Sequence, residues 1–171
     1  VYLAVTNAGK ETEKNIAARL SIGGLPVVLD QVIPELSPGQ TWTGWLTGKV
    51  ADPRKWDNEH PYLYTMKIEL GNADVTTEQI EKRFGFREVE VQGNRLLVNG
   101  KPVKLRGVCR HEAHPLTGRV MTPDLERKDV ELYRAANCNF IRTSHYPPCE
   151  ELLEICDEPV SYTHLRAHET R

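Results

Sequence analysis

Two short stretches of this 171-residue sequence concentrate side chains able to do chemistry. One reads Arg106-Gly107-Val108-Cys109-Arg110-His111-Glu112-Ala113-His114-Pro115, the other Arg142-Thr143-Ser144-His145-Tyr146-Pro147. Imidazole and guanidinium groups hydrogen-bond sugar hydroxyls, or hold a nearby carboxylate in its ionised form. Taken singly, a loop histidine is more often a surface or packing residue, and a lone Arg142 a buried ion-pair partner. Glu112 invites a reading as general acid, but beside Arg110 and His111 it is expected to be an ionised structural partner. Two strand ends that each offer a histidine and an arginine raise the weight of the functional reading. The residues alone lead to a polar pocket suited to an anion or a sugar, and no further.

The elements around these stretches must bring them together. Arg95–Val98 and Lys101–Leu105 flank Asn99-Gly100, whose positive φ makes a tight hairpin turn. Val103–Val108 continues as a strand. Thr122-Pro123-Asp124 opens a helix, with Thr as N-cap, Pro at the first helical position and an acid in the first turn. Leu125, Lys128/Asp129, Leu132 and Ala136 set its repeat, and it should stop near Asn137. Cys138–Arg142 is short and apolar, as a buried parallel strand would be. Pro147-Pro148 starts a second helix with Leu152, Leu153 and Cys156 on one face. Strand, helix, strand, helix is the opening of an α/β domain with a parallel sheet. In a (β/α)8 barrel the C-terminal strand ends carry the active site, so both stretches should face one mouth. These units fill only about 70 residues where a complete barrel needs about 250.

Residues 1–86 follow a different grammar. Ile16, Ala18, Leu20 and Ile22 alternate with polar or small residues, and Tyr62–Leu70 alternates likewise. Further apolar runs at 1–5, 25–32 and 41–46 are separated by Gly23-Gly24, Pro34 and Ser37-Pro38-Gly39. About six short strands with turn signals between them predict an antiparallel, immunoglobulin-like β-sandwich. Because the chain opens inside a strand, the sandwich is expected to be truncated at its N-terminus, and the sequence assigns no compartment. Trp42, Trp45 and Trp56 are expected in core or inter-domain packing. Were they exposed, they could form the platform of a non-catalytic sugar-binding module.

Composition removes other classes. There are 22 Lys+Arg against 24 Asp+Glu, a net charge of -2, 12 Gly and 11 Pro, which excludes collagen-like and strongly disordered chains. The near-neutral balance leaves no basic footprint for nucleic acid, and no apolar run approaches the roughly 18–20 residues that span a bilayer. Cys109, Cys138, Cys149 and Cys156 form no C-x-x-C pair, and are expected to be mostly reduced thiols used as small core residues. His164 and His168 lie four apart, yet without H-E-x-x-H or a third ligand they are not expected to bind metal.

Gly85-Phe86-Arg87, Leu97-Val98-Asn99-Gly100-Lys101-Pro102, Arg106-Gly107-Val108-Cys109-Arg110-His111-Glu112 and Arg142-Thr143-Ser144-His145-Tyr146-Pro147 together resemble glycoside hydrolase family 2. Trp56 and His60-Pro61-Tyr62-Leu63-Tyr64 are similar to the family's last immunoglobulin-like strands. The resemblance implies a sandwich at 1–86 followed at 87–159 by the first βα units of a TIM (β/α)8 barrel, truncated at its C-terminus. Residues 160–171 instead resemble a translated sequencing-library adapter, and are expected to be a non-native tail. The Arg-His-Glu-x-His-Pro pattern looks more like β-galactosidase than β-glucuronidase, which remains the alternative. Family likeness matches His111 and His145 to histidines that contact the sugar and stabilise the transition state. It matches Arg142 to an arginine beside the nucleophilic carboxylate, and Cys109 departs from the family's usual Asn. It implies retaining hydrolysis by two glutamates. None of Glu112, Glu126, Glu150, Glu151, Glu154 or Glu158 stands in their context, so the piece alone is expected to be inactive. Magnesium is implied only for the whole enzyme, whose substrate would be a β-galactoside and whose expected assembly is a homo-oligomer.

Overall fold

Alternation at Ile16–Ile22 builds what it should: Ala18, Leu20 and Ile22 are buried and Arg19 is exposed. The computed structural model describes residues 1–72 and 75–158, and the backbone alone of 162–165. The chain forms two units, Val1–Pro53 with Tyr64–Phe84, and Arg54–Leu63 with Gly85–Arg171. The segment Arg54–Leu63 thus clusters with the second unit.

In the first unit, β1 (Tyr2–Thr6), β2 (Ile16–Ile22), β3 (Val28–Ile33), β4 (Thr41–Trp45), β5 (Tyr64–Gly71) and β6 (Thr76–Phe84) form two antiparallel sheets. One has the order β3-β2-β5-β6, the other pairs β1 with β4. Ala18, Ile33 and Leu36 are buried between them, with Leu3 and Val5 of β1 and Trp42 of β4 packed against them. Side chains from both sheets share one core, so this is a sandwich. β6 had no sequence signal. Its residues 76–83 are all exposed, and backbone pairing to β5 holds it rather than an apolar face. Of the tryptophans, Trp56 is fully buried and Trp42 half-buried. Trp45 corrects the expectation of packing: it is 68% exposed, its ring 5.1 Å from that of Tyr2.

The second unit starts with an antiparallel meander of β7 (Val89–Gln92), β8 (Arg95–Val98) and β9 (Lys101–Pro102). Asn99 (φ 52°) and Gly100 (φ 74°) turn the β8–β9 hairpin as their types require. A parallel sheet follows, in the order β10 (Gly107–Arg110), β11 (Phe140–Thr143), β12 (Tyr162–Leu165). Helix α1 (Pro123–Ala135) joins β10 to β11, and α2 (Glu150–Asp157) joins β11 to β12. This is the strand–helix alternation of a barrel's beginning. β12 falls in the stretch read as an appended tail. Residues 159–161 and 166–171, and with them His168, lie outside the described residues. Among those described, no helix is long and apolar enough to cross a membrane.

The bounds of one strand and the buried face of one helix differ from the sequence reading. β10 occupies 107–110 instead of 103–108. Asn139 intervenes, its side chain accepting from the Arg106 amide (2.8 Å) and donating to the Lys104 carbonyl (3.1 Å). Pairing then begins at Gly107, where an added Cβ would run into the Phe140 carbonyl oxygen. Helix α1 begins as expected, with Thr122 Oγ1 accepting from the Leu125 amide at 3.4 Å. Its buried face, however, is Glu126 and Val130, while Leu132 is 57% exposed. A charged residue turned inward is invisible to an apolar-period reading. In α2, Leu152, Ile155 and Cys156 are buried and Leu153 is exposed.

Val130, Ile141, Leu152, Ile155 and Cys156 form the core of this unit. Burial of each large apolar side chain there contributes about 1.5–3 kcal/mol. None of the four cysteines forms a disulfide, and they are not uniformly core residues: Cys156 is buried, Cys138 and Cys149 half-buried, Cys109 exposed.

Candidate functional site

Parallel register pairs Cys109 with Arg142 and Arg110 with Thr143. The Ser144 amide donates to the Arg110 carbonyl at 2.9 Å, extending the ladder by one residue. The two reactive stretches therefore leave neighbouring strand ends side by side. The His111 and His145 rings lie 5.7 Å apart between centroids, tilted by 53°. Both side chains are exposed. His145 has φ 69°, in the left-handed region that few non-glycine residues adopt. Such a conformation costs on the order of 1–3 kcal/mol and persists only where its surroundings impose it.

Arg142 sits on β11 between buried Ile141 and buried Thr143. Strand periodicity turns it to the opposite face from Ile141, which packs with α1 and α2. Its Nη1 donates to Cys109 Sγ at 3.8 Å, and Cys109 is likewise directed off the helix-covered face. Of the three residues expected to line a pocket, His111 and His145 thus adjoin directly. Arg142 stands on β11, which ends at Thr143, two residues before His145.

Behind the histidines lies a charged knot that the sequence did not announce. Arg110 is 5% exposed, with its Nε donating to Asp129 Oδ2 at 3.0 Å. Its Nη2 lies 2.6 Å from Glu126 Oε2, an ion pair whose atoms are not aligned for a hydrogen bond. Burial works against charge on Arg110, but Glu126 and Asp129 outweigh it and hold the guanidinium above its ordinary pKa. Burial pushes the Glu126 carboxyl up; Arg110 opposes this, while Glu112 adds to it. The Cys149 thiol is also raised by burial, and its Sγ donates to Glu126 Oε1 at 3.7 Å. Glu112 is the structural partner its neighbours implied, though not of Arg110: its Oε1 accepts from the Cys149 amide at the start of α2, at 3.3 Å.

Glu112, Glu126 and Cys149 bring three potential metal-ligating atoms within 4.8 Å of one another. The Arg110 guanidinium already meets Glu126 there, and these contacts tie α1 and the start of α2 to the residues at the end of β10.

A carboxyl raised in the folded state gives stability a definite pH slope. Between the ordinary glutamate value, about 4.3, and the higher folded value, the folded unit binds a proton that the unfolded chain releases. Stability is therefore fully present below that window and falls as pH rises through it. The urea midpoint, followed by the far-ultraviolet helix signal, should decline with rising pH across this window. In Glu126→Gln that part of the slope should vanish; a wild-type midpoint that climbs instead would contradict the raised carboxyl.

Tyr146 also escaped the sequence reading. Its hydroxyl accepts from the Glu112 amide at 2.9 Å and lies 3.4 Å from His111 Nδ1. A tyrosine one residue after His145, in a turn leaving a strand, was the only available signal.

The arrangement has clear relatives. The family model described as glycosyl hydrolases family 2 matches residues 4–87, and the one described as glycosyl hydrolases family 2, TIM barrel domain, matches 89–162. Over 109 residues, 64% of this chain and 10% of the relative, the sequence is 41% identical to a β-galactosidase of Staphylococcus xylosus. A β-galacturonidase of Eisenbergiella tayi, solved bound to galacturonate, aligns with 96% of this chain and 29% of its own (TM-score 0.83, 30% identity). A β-glucuronidase of Bacteroides uniformis aligns with 95% of this chain and 20% of its own (TM-score 0.83, 32% identity). The chain spans about a tenth of the length of the S. xylosus relative. A sandwich followed by the first strands and helices of a barrel, with both family models matched in that order, places this chain in glycosyl hydrolases family 2.

Proposed function

We propose that the whole protein to which these residues belong is a retaining β-galactosidase, and that this chain supplies one wall of its sugar pocket. The observation that carries the reading is the pair of imidazoles, His111 and His145, held 5.7 Å apart at the ends of adjacent parallel strands. There they donate hydrogen bonds to sugar hydroxyls, contacts that count for catalysis when they strengthen as charge develops on the pyranose. Arg142, on β11 three residues before His145, keeps the nucleophilic carboxylate ionised. In a retaining enzyme the acid/base and nucleophile are two carboxyl groups about 5–5.5 Å apart. They, and any magnesium, belong to residues outside these 171.

The galactoside preference rests on Arg110-His111-Glu112-Ala113-His114-Pro115 and is supported by the name of the S. xylosus relative. The uronidase names of the structural neighbours favour a second reading, a β-glucuronidase. The full-length protein should be assayed with nitrophenyl β-galactoside against nitrophenyl β-glucuronide, alongside the 171-residue chain. Expected are turnover of the galactoside by the full-length protein and none above blank by the chain. Preference for the glucuronide moves the assignment to the second reading, and hydrolysis by the chain alone overturns the placement of the two carboxyl groups.

A further inference from the structure

We propose that Tyr146 is a positioning residue that fixes the tautomer of His111, so that its Nε2–H is presented to the sugar. A tyrosine hydroxyl has one proton to donate and lone pairs to accept with. The Glu112 amide already donates to this oxygen at 2.9 Å. That bond uses a lone pair of the oxygen, so the hydroxyl's own proton stays available for a second partner. The partner the geometry offers it is His111 Nδ1, 3.4 Å away, with the two rings 5.9 Å apart. A neutral imidazole that accepts at Nδ1 carries its proton on Nε2. The far edge of the ring, not the edge against Tyr146, then becomes the donor.

The 3.4 Å separation is long for a hydrogen bond, as catalytic contacts without substrate commonly are. The backbone supports the same assignment. Tyr146 follows His145, whose positive φ bends the chain just after β11. Glu112 follows His111 and is tied through its carboxylate to the first turn of α2. The tyrosine oxygen is thus held from the Glu112 side. Orientation of the imidazole follows from a fixed acceptor, as it does where an outer partner sets the tautomer of a functional histidine.

This inference rests on the glycosidase reading for its consequence but not for its test. Nitrogen-15 spectra of the 171-residue protein, taken where β10 and β11 amides are protected from exchange, report the tautomer of His111 directly. Wild type should show a single Nε2–H form. Tyr146→Phe should show averaged nitrogen shifts of both tautomers at His111. A simple clamp on the loop would instead speed exchange of the Glu112 amide and leave the His111 tautomer as in wild type, which overturns the proposal. In the full-length enzyme, Tyr146→Phe should lower kcat about tenfold, the scale of one lost hydrogen bond, with KM changed by less than about twofold. If the full-length protein cleaves no glycoside at all, the functional reading fails while the tautomer measurement still decides the role of Tyr146.

Discussion

Arg110→Ala unfolds the strand–helix unit. The guanidinium is 2% exposed at its side chain and faces Glu126, itself 1% exposed, at 2.6 Å. Removing one member of a buried ion pair leaves the other buried and uncompensated, a loss of about 3–5 kcal/mol. That is a large part of the roughly 5–15 kcal/mol that holds a whole domain folded. Because Arg110 also meets Asp129 on the next turn of α1, its loss detaches the helix from β10. Urea unfolding should show the helix signal lost at a much lower midpoint, while the sandwich strands of residues 1–53 and 64–84 keep their amide protection. Arg110→Met with Glu126→Leu, which removes both charges together, should recover most of the stability, since a buried pair replaced by apolar groups is often neutral. An Arg110→Ala protein with an unchanged midpoint would show that the ion pair contributes nothing to the unit.

His111→Ala should act in the opposite way, leaving stability alone and removing activity. The side chain is exposed, and substitutions of that kind away from special features shift stability by no more than about 0.5 kcal/mol. In the full-length enzyme its loss takes away a donor aimed at developing charge, which costs about 10²–10³ in kcat. Kinetics of nitrophenyl β-galactoside hydrolysis, with thermal melts of the same preparations, separate the two quantities. A variant within threefold of wild type in kcat would remove His111 from the pocket.

Most of the architecture could be read before any coordinates, because it depends on local chemistry. Thr122-Pro123-Asp124 set the start of α1, and Asn99-Gly100 the hairpin, through backbone preferences that neighbours do not alter. The alternation of Ile16, Ala18, Leu20 and Ile22 showed which way β2 faces. What escaped depends on partners far along the chain. β6 is mostly polar, with Ile80 and Phe84 its apolar residues, and it is paired along its length with β5. The inward face of α1 carries Glu126, and nothing within the helix shows that Arg110 waits sixteen residues upstream. The start of β10 is hidden for a similar reason, since Asn139 holds the residues before it from across the sheet. At the site, the pairing of His111 with His145 followed from counting strands. Tyr146 did not, because its importance lies in one oxygen's distances to Glu112 and His111.

The left-handed backbone at His145 has a further consequence. Glycine reaches that conformation freely, so at this position the residue that would relax the chain is the one without an imidazole. Ease of folding and the sugar contact proposed for His145 select different amino acids there, and an engineer screening only for heat resistance would be led to erase the side chain that the proposed pocket needs.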